Sequence, residues 1–449
     1  MTEEAMWKIT LDAGQVLGMT ADTLRRKVDL IRRTLNLSDE NVRILLERQP
    51  TILQLSADQN LAPTILFLQR ALDLSKADLR SIVVQFPCVL CYSIKNLKSK
   101  LNFFQCLLGF SQDECRKLLV GEPKLLTASV TTGLLPHLRF YTSDLDIPVD
   151  KLRTIIQKNP RVLLYSIEDN LVPKLIFYLT MNLRVDSKQM LRLLTKYPQL
   201  LDYNLNDHIL PITAYLMQEI EYSPTEVRQI ILSFPRIMTH SLRKIKHVVG
   251  YLRFELGLEA AQVKRVLYQA PQVIGLNTDD NLKKKVAFLR DDFSLTRNEL
   301  RRVITGMPTL LICSIEHNLQ PKTDYLRTVF ENKRDLHDAV LTLPGLLGYS
   351  LEKRIKPRME RLLEIGSHPK GITIGIPMKD EAFDQWLGRR ENRLEKNPGF
   401  DDKARSQGAA SLNNKEAVIV HVDNKNREEK NGRITHWTRE RRPPPQQSN

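Results

Sequence analysis

At 449 residues the chain has room for two or three ordinary domains or for one elongated array, so length alone decides nothing. A formal net charge of +15 favours an anionic partner, with nucleic acid or an anionic membrane surface ahead of an acidic substrate. No run of eighteen apolar residues occurs, which excludes a simple membrane-crossing helix, and the chain reads as soluble, with no membrane partner expected.

The first residues, Met1-Thr2-Glu3-Glu4, have neither the plan of a signal peptide nor that of a transit peptide. A partial unit follows, with Ala13 in a position that proline holds further on and Leu24-Arg25-Arg26-Lys27 opening its second helix. Residues 1–38 are therefore expected to be a truncated N-terminal repeat, the visible start cutting into a unit whose beginning is missing.

From there prolines recur at Pro50, Pro87, Pro123, Pro160, Pro198, Pro235, Pro271, Pro308 and Pro344, spaced 36 to 38 residues apart. That regularity predicts stacked supersecondary units over residues 39–366. Apolar residues stand eight, five and four positions before each proline, as in Leu79, Ile82 and Val83, which is one stripe of an α-helix. Proline removes an amide donor and biases its predecessor away from the α region, so each first helix should end there. Six residues after every marker stands a Ser or Asn: Ser56, Ser93, Ser129, Ser166, Asn204, Ser241, Asn277, Ser314 and Ser350, the signature of an N-cap. Leucine-rich helices follow, often with a second proline near the start, such as Pro63 or Pro173. Capping boxes such as Ser111-x-x-Glu114 and Thr296-x-x-Glu299 open the next first helices. Residues 367–396 read as a short helical extension, and 397–449, polar and closing on Arg441-Arg442-Pro443-Pro444-Pro445, as a mostly disordered tail.

Two columns of cations run through this pattern. Seven positions before the marker stand Arg43, Arg80, Arg116, Arg153, Arg228, Lys264 and Arg301, with Leu191 and His337 as the exceptions. The position borders the apolar stripe, so stacking would align the cations as a ladder; the alternative is that each pairs with an acid of its own or a neighbouring repeat. A second group opens the long helices: Arg26, Lys27, Lys100, His137, Lys174, Lys246, His247, Lys283, Lys284, Lys285, Lys322, Lys356 and Arg358. Cations there oppose the helix dipole, so helix stability does not explain them, whereas helix N-termini do attract phosphates. Both columns are taken as candidate nucleic-acid contacts.

No zinc-protease, P-loop, nucleophile-elbow or dinucleotide-binding motif is present, so neither an enzyme nor a cofactor is expected. Cys88 and Cys91 form a C-x-x-C without the further ligands a zinc site needs, so no metal site is expected and the pair reads as small buried thiols. The odd total of five cysteines points to a reducing compartment.

Written out, the unit is L-x-x-[ILV]-[ILV]-x-x-x-P-x-[ILV]-[LIM]-x-x-S followed by x-x-x-N-L-x-P-K, and Pro160 to Lys174 fits it throughout. It strongly resembles the mitochondrial transcription termination factor (mTERF) family over roughly residues 10–366, and the last unit, Leu346 to Arg358, looks like the closing repeat of plant and algal members. The resemblance implies an all-α solenoid of about nine to ten repeats, each of two α-helices and a short 3₁₀ helix, curled into a superhelix with a basic concave face. It further implies a non-enzymatic, monomeric protein of mitochondrion or plastid. Such a protein would bind double-stranded DNA to terminate or regulate transcription, or structured RNA in intron splicing or ribosome assembly. An α-solenoid scaffold for protein partners is the remaining alternative.

Overall fold

The computed structural model describes Trp7 and residues 11–396, and among these there are helices but no β-strand. The expected disordered tail lies outside the described residues. The chain divides into two compact units, Met1–Leu210 and Pro211–Asn449.

In the first unit, the first helices Asp39–Arg48, Lys76–Gln85, Gln112–Gly121, Val149–Lys158 and Ser187–Lys196 each stop just before a marker proline. The proline then opens a short 3₁₀ helix: Pro50–Gln54, Pro87–Cys91, Pro123–Thr127, Pro160–Leu163 or Pro198–Asp202. Proline fits that first position because its missing amide would have had no partner. These 3₁₀ helices pack one on the next along the unit. The leading partial unit keeps the plan, with buried Ala13 preceding a 3₁₀ helix, Gly14–Gly18, and then the helix Ala21–Leu35.

The second unit repeats the arrangement with first helices Pro224–Ser233, Ala260–Gln269, Arg297–Gly306 and Lys333–Thr342. Its 3₁₀ helices are Pro235–Thr239, Pro271–Gly275, Pro308–Ile312 and Pro344–Gly348. Stripe residues such as Leu79, Ile82 and Val83, or Leu300, Val303 and Ile304, are buried, as are the apolar pairs after the prolines. All nine Ser/Asn residues cap the long helices; Ser166 Oγ, for example, accepts the Asp169 amide at 3.0 Å.

The sequence does not announce how those helices begin. Seven of the nine open with a π turn, in which the amide of the fifth residue after the cap bonds the cap carbonyl, as Leu171 does to Ser166 at 3.0 Å. Pro63, Pro136, Pro321 and Pro357 stand in the first turn of the α-helix that follows the π turn, whereas Pro173 lies inside the continuous π-helix Ile167–Asn182. The other two, Ile94–Asn102 and Leu242–Gly250, start as plain α-helix, with Leu97 and Ile245 bonding their caps four residues back. The π turn inserts one residue, and everything after it is shifted by one relative to the cap.

After the last repeat, Asp380–Lys396 packs Phe383 and Leu387 against Leu362. Gly375 has to be glycine, because a Cβ there would lie 2.7 Å from the Phe383 ring.

Candidate nucleic-acid interface

The one-residue shift decides where each cation of the second column goes. In the long helices an apolar residue, buried everywhere except at half-buried Leu24 of the leading partial unit, ends the opening turn, and the side chain three positions later points into the junction with the following repeat. Leu24, Leu97, Leu134, Leu171, Leu282, Leu319 and Ile355 thus precede Lys27, Lys100, His137, Lys174, Lys285, Lys322 and Arg358, which are only 1 to 8 % exposed. Each reaches a carbonyl of the segment that comes next. Lys27 donates to Leu53 O (2.6 Å), Lys174 to Leu201 O (2.8 Å), Lys285 to Leu311 O (2.9 Å) and Lys322 to Leu347 O (2.7 Å). Lys100 does the same to Leu126 O, and His137 Nε2 lies 2.6 Å from Tyr165 O. Arg358, with no repeat after it, donates instead to Gly375, Ile376 and Met378 carbonyls of the extension and pairs with Asp380. The last carbonyls of a short helix lack an internal donor, and the buried cation supplies one.

This corrects the reading of the second column. Lys100, Lys174, Lys285, Lys322 and Arg358 are clamps between successive segments and are closed to an outside ligand. Burial pushes the amines down from their ordinary value, to about 8 for Lys100 and Lys174, because a charged form is costly away from water. Lys246, Lys284 and Lys356 differ in falling outside the clamp position. Lys246 and Lys284 are exposed, with the Lys246 ammonium 5.3 Å above the Tyr215 ring, and half-buried Lys356 pairs with Glu352 at 2.6 Å.

The ladder column turns backwards, past the long helix immediately before it, to the end of the long helix one earlier. Arg80 donates to Asn36 O (3.5 Å), Arg153 to Gly109 O (2.9 Å), Lys264 to Glu221 O (2.6 Å) and Arg301 to Leu256 O (2.9 Å). Those helices finish in a left-handed residue, Asn36, Gly109, Glu221 or Gly257, where carbonyls are left over and a cation complements the dipole. Arg301 lies so close to Gly257 that a Cβ there would come within 2.2 Å of its guanidinium. Arg153 also pairs with Glu114 (2.9 Å) and Lys264 with Glu226 (3.4 Å). Arg43 pairs with Glu40 and Glu47 and Arg116 with Asp113, all on their own helices, while Arg228 is half-buried. The alternative of pairing with an acid of the same or a neighbouring repeat therefore describes Arg43, Arg116, Arg153 and Lys264, whereas Arg80 and Arg301 donate to backbone carbonyls instead.

Among the many outward cations, those at the two plain α-helical starts stand without first-turn acids. Ile94–Asn102 and Leu242–Gly250 have no acid in the first turn, whereas six of the seven π-turn starts have one or two. They carry exposed Lys95 and Lys98 in the first unit and exposed Arg243 and Lys246 in the second. Exposed Lys124 opens the 3₁₀ helix that Lys100 clamps, and exposed Arg236 opens the 3₁₀ helix preceding Arg243. Lys95, Lys98, Lys124, Arg236 and Arg243 were missed from the sequence; a missing first-turn acid beside a Ser cap is the signal that finds Lys95, Lys98 and Arg243. Each unit thus presents basic side chains beside unpaired first-turn amides, an arrangement suited to phosphate.

The mTERF family model matches residues 1–107 and 174–383. The chain belongs to the mTERF family. Residues 108–173, outside the matched stretches, carry the same mTERF unit, with markers Pro123 and Pro160 and caps Ser129 and Ser166. Comparison with curated proteins returned no match. mTERF proteins are organellar helical-repeat proteins that bind nucleic acid, which agrees with the basic helix starts in each unit. Among the described residues no group of three or more His, Cys, Asp or Glu side chains could hold a metal ion, and no helix is long and apolar enough to cross a membrane.

His240, beside Arg236, adds a pH dependence. Burial, with Lys244 and Arg236 nearby, lowers its pKa to about 4, and its buried Nε2 has no hydrogen-bond partner. The neutral ring is favoured by folding, so its contribution is complete above the unfolded value near 6.5 and is lost as pH falls toward 4. His240→Leu, the residue found at the equivalent Leu55 and Leu276, should remove a loss on the order of 1–2 kcal/mol, read as a smaller drop in urea midpoint between pH 6.5 and pH 4.

Proposed function

We propose that this mTERF protein binds double-stranded DNA as a monomer in the mitochondrion or plastid and terminates or regulates transcription without catalysing a reaction. The observation that carries the reading is the pair of acid-free helix starts bearing Lys95, Lys98, Arg243 and Lys246, which offer charge and free amides to a phosphate backbone. Lys284 and Lys356 are further candidate contacts, at helix starts that do carry first-turn acids. Regularly repeated backbone contacts suit a stiff duplex, and sequence preference would come from base-edge contacts added to them.

Competition between duplex DNA and structured RNA of equal length tests the choice of ligand. Duplex DNA should displace a labelled duplex at lower concentration than the RNA. Stronger displacement by RNA would move the assignment to splicing or ribosome assembly. A scaffold role predicts that partner binding survives reversal of the outward cations. Reversing Arg153 or Arg301 would not discriminate, because their donors hold neighbouring repeats together.

A further inference from the structure

We propose that Cys88 and Cys91 form a reversible disulfide across one turn of the 3₁₀ helix Pro87–Cys91, making this junction a redox-responsive modification site. In a 3₁₀ helix residues three apart eclipse each other at about 2.0 Å rise per residue, which sets their Cα atoms about 6 Å apart. That separation falls inside the range a disulfide spans without backbone movement. Both thiols are only partly buried, unlike Cys115, and so are not the sealed core thiols that the sequence pattern implies.

The surroundings suit a switch between two states. Cys91 Sγ rests 3.6 Å from Thr51 Oγ1 of the preceding repeat, a hydroxyl that also accepts from Gln49 Nε2 at 2.6 Å. The Lys100 ammonium sits 3.9 Å over the neighbouring Tyr92 ring, and its charge favours the Cys88 thiolate. Burial acts the other way and pushes both thiols up, so exchange is slow and responds to a sustained change in poise. A disulfide oxidant of the glutathione class completes the chemistry. The Cys88 thiolate attacks one sulfur of the oxidant, whose S–S bond breaks to release one glutathione thiolate. The Cys91 thiolate then attacks Cys88 Sγ in the mixed disulfide and releases the second. The two protons lost by the cysteines end on the two glutathione thiols, and the oxidant takes up two electrons. Oxidation withdraws Cys91 from Thr51 and exchanges a contact between repeats for a bond within one turn.

The test equilibrates the full-length protein with an excess of oxidised glutathione, quenches it with acid, alkylates the free thiols and maps them by mass spectrometry. The expected result is a peptide holding Cys88 and Cys91 that has lost two hydrogens and takes up alkylating reagent only after reduction, with buried Cys115 alkylated directly as a sign of an otherwise reduced chain. Recovery of both as free thiols would overturn the proposal. So would their capture only as glutathione adducts, or pairing of either with Cys106, Cys115 or Cys313.

Discussion

Lys322→Ala is expected to destabilise the protein by about 2–4 kcal/mol, an effect far larger than its place on a polar helix start implies. Lys322 is 4 % exposed, and its ammonium donates to Leu347 O and to Asn318 Oδ1, both at 2.7 Å. Truncation leaves both acceptors unsatisfied in a dry junction and opens a void where four methylenes had packed. Lys322→Met keeps most of the volume but none of the donors, so its cost should be smaller, about 1–2 kcal/mol. Lys284→Ala, one position before the clamp of the preceding repeat, should leave stability unchanged because its side chain is in water. The urea midpoint of each variant at unchanged slope is the measurement. Equal midpoints for Lys322→Ala and Lys284→Ala would rule out the clamp.

The contrast between Lys284 and Lys285 also shows where the sequence was legible. The prolines, caps and stripes act within one turn of themselves, so their spacing predicted first helices and caps at the residues where they are found, while the short 3₁₀ helices were implied by the family resemblance. The fate of a cation depended on a π turn several residues upstream, and a run of three lysines, Lys283 to Lys285, does not show which of them turns inward. The buried residue that ends the opening turn shows why Lys246 and Lys322 part: Lys322 follows Leu319 by three, whereas Val248 and not Lys246 follows Ile245 by three. The ladder column was legible as a column but not in direction. Its partners are carbonyls some forty residues earlier, at helix ends where a glycine marks the left-handed residue in two cases, Gly109 and Gly257, but Asn36 and Glu221 carry no such signal.

The second large effect belongs to the outward cations. Charge reversal at Lys95, Lys98, Arg243 and Lys246 together should weaken nucleic-acid binding by about 10²-fold or more near physiological salt, since each is expected to neutralise a phosphate and displace its counterion. These side chains donate to no carbonyl of a neighbouring repeat, apart from the contact of Lys246 with Tyr215, so the urea midpoint should move little.

The most direct measurement is the slope of log binding constant against log salt concentration for the wild type and this fourfold variant on the same DNA duplex. The wild type should lose about 10³–10⁵-fold between 50 and 200 mM salt if it makes roughly 6–10 phosphate contacts, and the variant's slope should be shallower by about 0.9 for each phosphate it no longer neutralises. A variant that folds as the wild type does and keeps both its affinity and its slope would contradict the assignment of these helix starts as the nucleic-acid interface.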